Sequence, residues 1–127
     1  MAKKNYPKRS VIFLVFLLLI FIGYITYFSP LPFNQEIWNS KKDGSLDTYK
    51  IRHRMADGLL MMDSLIGMKK SDVIKLLGTP PNTSYFHTWD LVYRLGIERG
   101  LFSIDNEWLV LKVDDTDSII EASLVSD

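Results

Sequence analysis

Catalysis in this chain would have to begin from its two histidines, His53 and His87, or from its clustered aspartates. A general base or a metal ligand needs a second group within hydrogen-bond reach, and neither histidine sits in a motif that supplies one. His53 lies between Arg52 and Arg54, a run that reads as a solvated basic stretch. His87 shares strand parity with Trp89, which places it at the rim of a core. Asp114, Asp115 and Asp117 fall within four residues, but the alternating ligands, central glycine and distal glutamate of a calcium loop are absent. An aspartate-rich turn of this kind is better explained by side chains bonding to the local backbone. Gly67, Gly78 and Gly96 fit no phosphate-binding pattern and read as helix stops and turns. Lys69-Lys70 is too short for a nucleic-acid patch and solvates a helix start. With no cysteine in the chain, disulfides, thiolate metal sites and cysteine nucleophiles are excluded together. The expectation is a protein with no catalytic residue, no cofactor and no metal.

Charge narrows the class further. The 127 residues carry 15 basic and 15 acidic side chains, unevenly placed. Lys3, Lys4, Lys8 and Arg9 make the first ten residues cationic, residues 10–35 carry no charge, and the remainder is net acidic. A nucleic-acid binder needs a cationic stripe on its folded part, which is missing here. A disordered chain is excluded by a 47% hydrophobic content.

Residues 11–28 read VIFLVFLLLIFIGYITYF. Eighteen residues at helical rise span about 27 Å, near the hydrocarbon thickness of a bilayer. Only a helix satisfies the backbone there. Tyr24, Tyr27 and Phe28 gather at the far end, where aromatic rings meet headgroups, and the preceding cations orient the amino terminus to the cytoplasm. The run is longer than a signal-peptide core, and Tyr27-Phe28-Ser29-Pro30 is a poor cleavage site, so an uncleaved single-pass anchor in the plasma (inner) membrane is expected rather than a removed signal.

Residues 29–47 read as a tether: Pro30 and Pro32 block helix continuation, and residues 39–45 are polar. Trp38 and Ile37 could enter the membrane interface or dock on the domain. Residues 48–127 form the folded unit. Ile51, Met55, Leu59, Met62 and Ile66 recur with helical spacing, capped by Asp47 or Thr48, and Gly58 within them costs up to about 1 kcal/mol relative to alanine. Val73, Ile74, Leu76 and Leu77 mark a second helix, stopped by Gly78 and barred from extension by Pro80-Pro81. Period-two alternation follows in three sets: Trp89, Leu91, Tyr93; Leu109, Leu111, Val113; and Ile120, Ala122, Leu124. A short turn at Asp114–Asp117 pairs Val113 with Ser118, Leu111 with Ile120 and Leu109 with Ala122, putting the apolar residues on one face. The fold class is α+β: after the transmembrane helix, two helices on one face of a three-stranded antiparallel sheet.

The stretch Leu65-Ile-Gly-Met-Lys-Lys-Ser-Asp-Val-Ile-Lys-Leu-Leu-Gly-Thr-Pro80 resembles the SmpA/OmlA (BamE-like) domain family. The match continues through Trp89, Tyr93-Arg94-Leu95-Gly96 and Leu109-Val110-Leu111-Lys112-Val113-Asp114, covering about residues 52–125. The resemblance implies the two-helix, three-strand fold shared with β-lactamase-inhibitory-protein-like domains. It also implies action through protein contacts, as in accessory lipoproteins of outer-membrane β-barrel assembly, and no chemistry. Three positions depart from the family pattern. A transmembrane helix stands in place of the lipid-bearing cysteine. Lys69 occupies the usual Ser/Thr cap, leaving Ser71 as a substitute cap and Asp72 as half of a capping box. Asp117 takes a turn position often held by glycine.

If Trp89, Leu91 and Tyr93 face the helices, the even-numbered Phe86, Val92, Trp108 and Val110 occupy the other sheet face. An exposed aromatic and aliphatic cluster there would be a binding hot spot, unless the chain covers it itself or Trp108 belongs to a minor core. Together with the Gly78-Thr79-Pro80 corner, these residues are the expected contact surface of a membrane-anchored, extracytoplasmic protein-interaction module that assists envelope or membrane-protein assembly. Its partners would be the membrane, through residues 11–28, and a protein of the cell envelope, with no nucleic acid and no metal. The alternative is an envelope small-ligand binder or hydrolase-like enzyme with a site near Tyr85, His87 and Asp90.

Overall fold

The computed structural model describes residues 8–41, 47 and 49–127. Lys3, Lys4, the polar stretch at 42–45 and the candidate cap Thr48 lie outside them. Helix α1 (Lys8–Phe28) is followed by α2 (Gln35–Ser40), α3 (Ile51–Met61) and α4 (Lys70–Leu77), then strands β1 (Leu91–Ile97), β2 (Asn106–Val113) and β3 (Ile119–Ser126). The class is α+β, with one antiparallel sheet in the order β1-β2-β3. Helix α1 is long and apolar enough to cross a membrane, and none of its residues is buried.

The main core joins Trp38 from α2, Met55, Ala56 and Leu59 from α3, and Val73 and Leu77 from α4 to the odd-numbered residues of β1 and β2. The segment that reads as a tether therefore supplies a core residue. Asn34 caps α2 by accepting from Ile37 N at 3.0 Å, and Trp38 is wholly buried, its indole Nε1 donating to Leu77 O at 2.9 Å. Leu31 N donates to Arg54 O at 2.8 Å, laying residues 29–33 along α3.

This approach explains Gly58. A Cβ built there would meet Leu31 O at 2.2 Å, so the helix-weakening glycine is what lets the incoming strand of backbone touch α3. Gly58→Ala is expected to destabilise the fold by roughly 1–3 kcal/mol despite its better helix propensity, read as a lower urea midpoint of the detergent-solubilised chain.

Three sequence expectations change in the structure. Helix α3 ends at Met61, so Met62 and Ile66 leave the helical face and are exposed, while Leu65 enters the core from the following turns. Asp47 still serves the helix start, accepting from Arg52 N at 3.1 Å, although Lys50, in a left-handed conformation, holds the cap position before Ile51.

The hairpin register is offset from the simple pairing by two at Leu109 and Leu111 and by one at Val113. Leu109 opposes Leu124, Leu111 opposes Ala122, and Val113 opposes Ile119. Asp117 adopts φ 59°, the turn closes by Asp114 N donating to Ser118 O at 2.9 Å, and a bulge follows between Lys112 and Val113. The bulge turns Ile119 into the core and Ile120 out to solvent. Third, Trp89 lies before β1 and packs on the opposite face from Leu91 and Tyr93.

The start of β3 is paired by the α3–α4 connection: Ile119 N donates to Met68 O and Gly67 N to Ile119 O, each at 2.8 Å. The same turn caps α4. Lys69 at the cap offers no side-chain acceptor, and Lys70 N instead donates to Asp117 O at 2.8 Å. Tertiary contact thus replaces the missing Ser/Thr cap.

Candidate functional site

The even-numbered sheet face is not open. Val92, Trp108 and Val110 form a second core, closed by Phe86, Trp89 and Val125. Trp108 is 5% exposed and Val110 fully buried. The cover is the segment between α4 and β1, not residues 29–47. Phe86 takes φ 56° to turn its ring onto Trp108, with centroids 6.0 Å apart, and Trp89 receives Lys112 Nζ at 5.1 Å from its ring. Trp108, Val110, Val92 and Phe86 are thereby placed in a minor core, the self-covered arrangement that the sequence left as one alternative.

That covering segment begins at Gly78, in the left-handed region at φ 89° and held by its carbonyl, which accepts from Tyr93 Oη at 2.8 Å. It passes beside β1, an edge strand, and leaves a cavity of about 460 Å³. Thr79 of the Gly78–Pro80 corner lines one wall with its neighbours Leu77 and Pro81, whereas Gly78 and Pro80 themselves do not line it, and Tyr85, Tyr93 and Trp108 supply aromatic rings. Arg52, Arg94 and Asn106 complete it. Thr79 of the corner and Trp108, separate in sequence, therefore meet at one cavity. Tyr85 joins them, its ring 5.7 Å from that of Trp108. His87 is exposed, and Asp90 is occupied elsewhere, accepting from Val113 N at 2.8 Å; neither lines the cavity.

The polar wall is braced. Arg94 donates through Nε and Nη2 to Asn106 Oδ1, at 2.9 and 2.6 Å. Asn106 N and Trp108 Nε1 donate to the Asp127 carboxylate at 2.7 and 3.1 Å. The hydrogen bond from Asn106 N, ahead of the indole contribution, holds the Asp127 carboxyl below its ordinary range. Arg52 stacks on Trp38 with its Cζ 4.1 Å from the ring and donates Nη1 to Arg94 O at 2.8 Å. Burial lowers Arg52 to about 10, which leaves it cationic at neutral pH. Burial likewise raises the Tyr93 hydroxyl to about 12, so it acts as a donor.

A second polar cluster lies at the end of β1 nearest α1, and no residue spacing points to it. Arg52, His53 and Arg54 are all buried, contrary to the solvated stretch expected. Successive helical residues point in different directions, and each finds a backbone carbonyl. His53 Nε2 donates to Ile97 O at 3.0 Å, a carbonyl shared with Lys50 Nζ at 2.7 Å. Arg54 holds Ser29, just beyond α1, through Nε to the carbonyl at 2.7 Å and Nη2 to the hydroxyl at 2.8 Å. Arg99 bridges Asp57 of α3 and Glu107 of β2. Burial opposes its charge, but hydrogen bonds from these two carboxylates hold the guanidinium pKa above its ordinary value.

His53 is kept neutral chiefly by burial, with Glu107, 3.8 Å away, only partly offsetting it. A histidine whose folded pKa is depressed takes up its proton first in the unfolded chain. Stability is therefore full above the ordinary histidine value and falls as pH drops below about 6.5, by roughly 1 kcal/mol per pH unit. Urea titrations between about pH 6.5 and about pH 5 are expected to show that slope, and His53→Gln, which keeps a donor for Ile97 O, is expected to flatten it.

Asp114 illustrates the local use of acids in the β2–β3 turn. Its Oδ1 accepts from Ser118 N at 3.0 Å, Thr116 Oγ1 at 2.7 Å and Thr116 N at 2.9 Å, which holds the carboxyl below its usual range. Among the described residues no group of three or more His, Cys, Asp or Glu is arranged to hold a metal. Compared with protein-family models, with curated proteins and with solved structures, the chain matches none.

Proposed function

We propose that this protein is a single-pass, membrane-anchored interaction module with an SmpA/OmlA-like α+β domain, non-catalytic and held outside the cytoplasm. Helix α1 would cross the plasma membrane, with the cationic segment before it in the cytoplasm. The domain would assist envelope or membrane-protein assembly by gripping a segment of a protein partner.

The observation that carries this reading is the 460 Å³ cavity beside β1, where Thr79 of the Gly78–Pro80 corner, the Tyr85 and Trp108 rings and two guanidinium groups converge. Aromatic and arginine side chains in one recess are the usual anchors of protein recognition. Anchoring raises the effective concentration of a weak binder toward partners in the same membrane. Two-helix packing against one sheet face, as in the family it resembles, is supported by the shared core of α3, α4 and the odd-numbered strand residues.

A photoreactive residue at Tyr85 in the full chain, activated in native membranes, is expected to give one discrete protein adduct, lost on Trp108→Ala. Adducts no different from those formed at exposed Ile120 would overturn the proposal. The cavity volume also falls in the range of small-molecule sites, about 300–1,000 Å³. An envelope ligand binder with its site at Tyr85 is therefore the second reading, favoured if small anions raise the melting temperature while no adduct forms.

A further inference from the structure

The connection between β1 and β2 carries the most exposed apolar side chains of the domain. Leu101, Phe102 and Ile104 are 96%, 84% and 85% exposed. The loop is nevertheless built. Glu98 N donates to Asp105 O at 3.0 Å across its neck, and Ser103 Oγ donates to Gly100 O at 3.0 Å within it. Three large apolar side chains at the tip of a closed loop are costly in water and need an apolar environment.

The position of the loop names that environment. Its neck residue Arg99 is fixed by Asp57 and Glu107, and its Cζ stands 6.0 Å from the centre of the Phe28 ring, the last residue of α1. Arg54 grips Ser29 immediately beyond. The base of the loop thus lies beside the end of α1, the depth at which a spanning helix meets the headgroups. Counted from the nearer side of the neck at Glu98 and Asp105, Leu101 and Phe102 lie three residues out and Ile104 one, a reach of at most about 11 and about 4 Å. Interfacial apolar groups bury to about 5–10 Å, which the longer reach covers.

We infer that the Leu101-Phe102-Ser103-Ile104 tip inserts into the outer interface of the same bilayer that α1 crosses, forming a second membrane contact that orients the domain. This rests on α1 as a membrane span, and the test separates the two. Glu98 and Asp105 at the neck keep the insertion shallow, and Arg99 is already engaged by two carboxylates. Apolar burial rather than charge drives the contact, so anionic lipid and salt are expected to leave it unchanged.

Because the chain lacks cysteine, single labels are direct. The full chain is reconstituted in phosphatidylcholine vesicles with an environment-sensitive fluorophore at Phe102→Cys, Thr116→Cys or Ile20→Cys. The expected result is blue-shifted emission at position 102, losing most of its intensity to lipids with a quencher near the headgroup. Position 116 stays water-like, and position 20 is quenched by lipids labelled deep in the chain. Quenching at 20 with a water-like signal at 102 overturns the insertion and leaves the span standing. No quenching at 20 overturns both. A blue shift at 102 without lipid quenching also overturns the insertion, because protein then covers the tip.

Discussion

Arg99→Met is expected to lower the stability of the domain by about 3–5 kcal/mol, the usual cost of stranding buried charge. Arg99 side-chain exposure is 12%, and its guanidinium separates the Asp57 and Glu107 carboxylates, themselves 20% and 11% exposed. Removing the cation leaves two like charges facing each other away from water and loses four hydrogen bonds that join α3 to β2. Methionine conserves the stem's apolar contacts, so the loss isolates the charge. Urea denaturation of the full chain in detergent micelles, followed by tryptophan fluorescence, reads the effect. Adding Asp57→Asn and Glu107→Gln to the variant is expected to recover much of the loss, because amides carry no repulsion. If the triple variant is no better than Arg99→Met, packing and not charge is what Arg99 contributes.

Trp38→Ala is expected to cost a similar amount, about 3–5 kcal/mol, although Trp38 lies in the stretch that reads as a tether. The side chain is wholly buried among α3, α4 and the sheet, its indole N–H satisfies Leu77 O, and its ring supports the Arg52 guanidinium. Alanine leaves a cavity, an unsatisfied carbonyl at the end of α4, and a cation without its platform. Trp38→Phe restores volume without the N–H, so it is expected to recover more than half of the loss. A chain beginning at Thr48 lacks Trp38 and Leu31 altogether, and its sheet residues are expected to bind hydrophobic dyes. Cooperative unfolding of that shorter chain, with the stability of the full one, would show that residues 31–41 only rest on the surface.

Elements with a strong local period were legible. The apolar run of α1 and the Val73–Leu77 helix with its Gly78 stop appear where the spacing puts them. So do the two alternating sets at Leu91–Tyr93 and Leu109–Val113. Two of the misplacements share a cause: each depended on one residue that local pattern does not constrain. Asp117 accepts a left-handed conformation, the bulge follows, and Ile119 replaces Ile120 in the core. Phe86 does the same at φ 56° and sends the preceding segment over the even face.

The candidate site was half legible. Trp108, the Gly78–Pro80 corner and Tyr85 were each singled out by type, but as two separate sites, since nothing in their spacing says that they share a cavity. Arg52, Arg94 and Asn106 were missed, because a cation in a helix or strand reads as solvated unless its acceptor is known. Buried cations here bond to carbonyls of Ser29, Arg94 and Ile97, which are backbone groups and leave no mark in residue type.

By itself, then, the sequence determined the apolar helix, the α+β class and which strand residues alternate, because these follow from interactions between near neighbours in the chain. Only the tertiary structure decided that Trp38 belongs to the core, that the second sheet face is covered, and that a recess opens beside β1. Those outcomes depend on contacts between segments about forty residues apart or more, such as the 2.9 Å bond from Trp38 to Leu77. Such contacts form only once loop entropy has been overcome by burial, which no local pattern records.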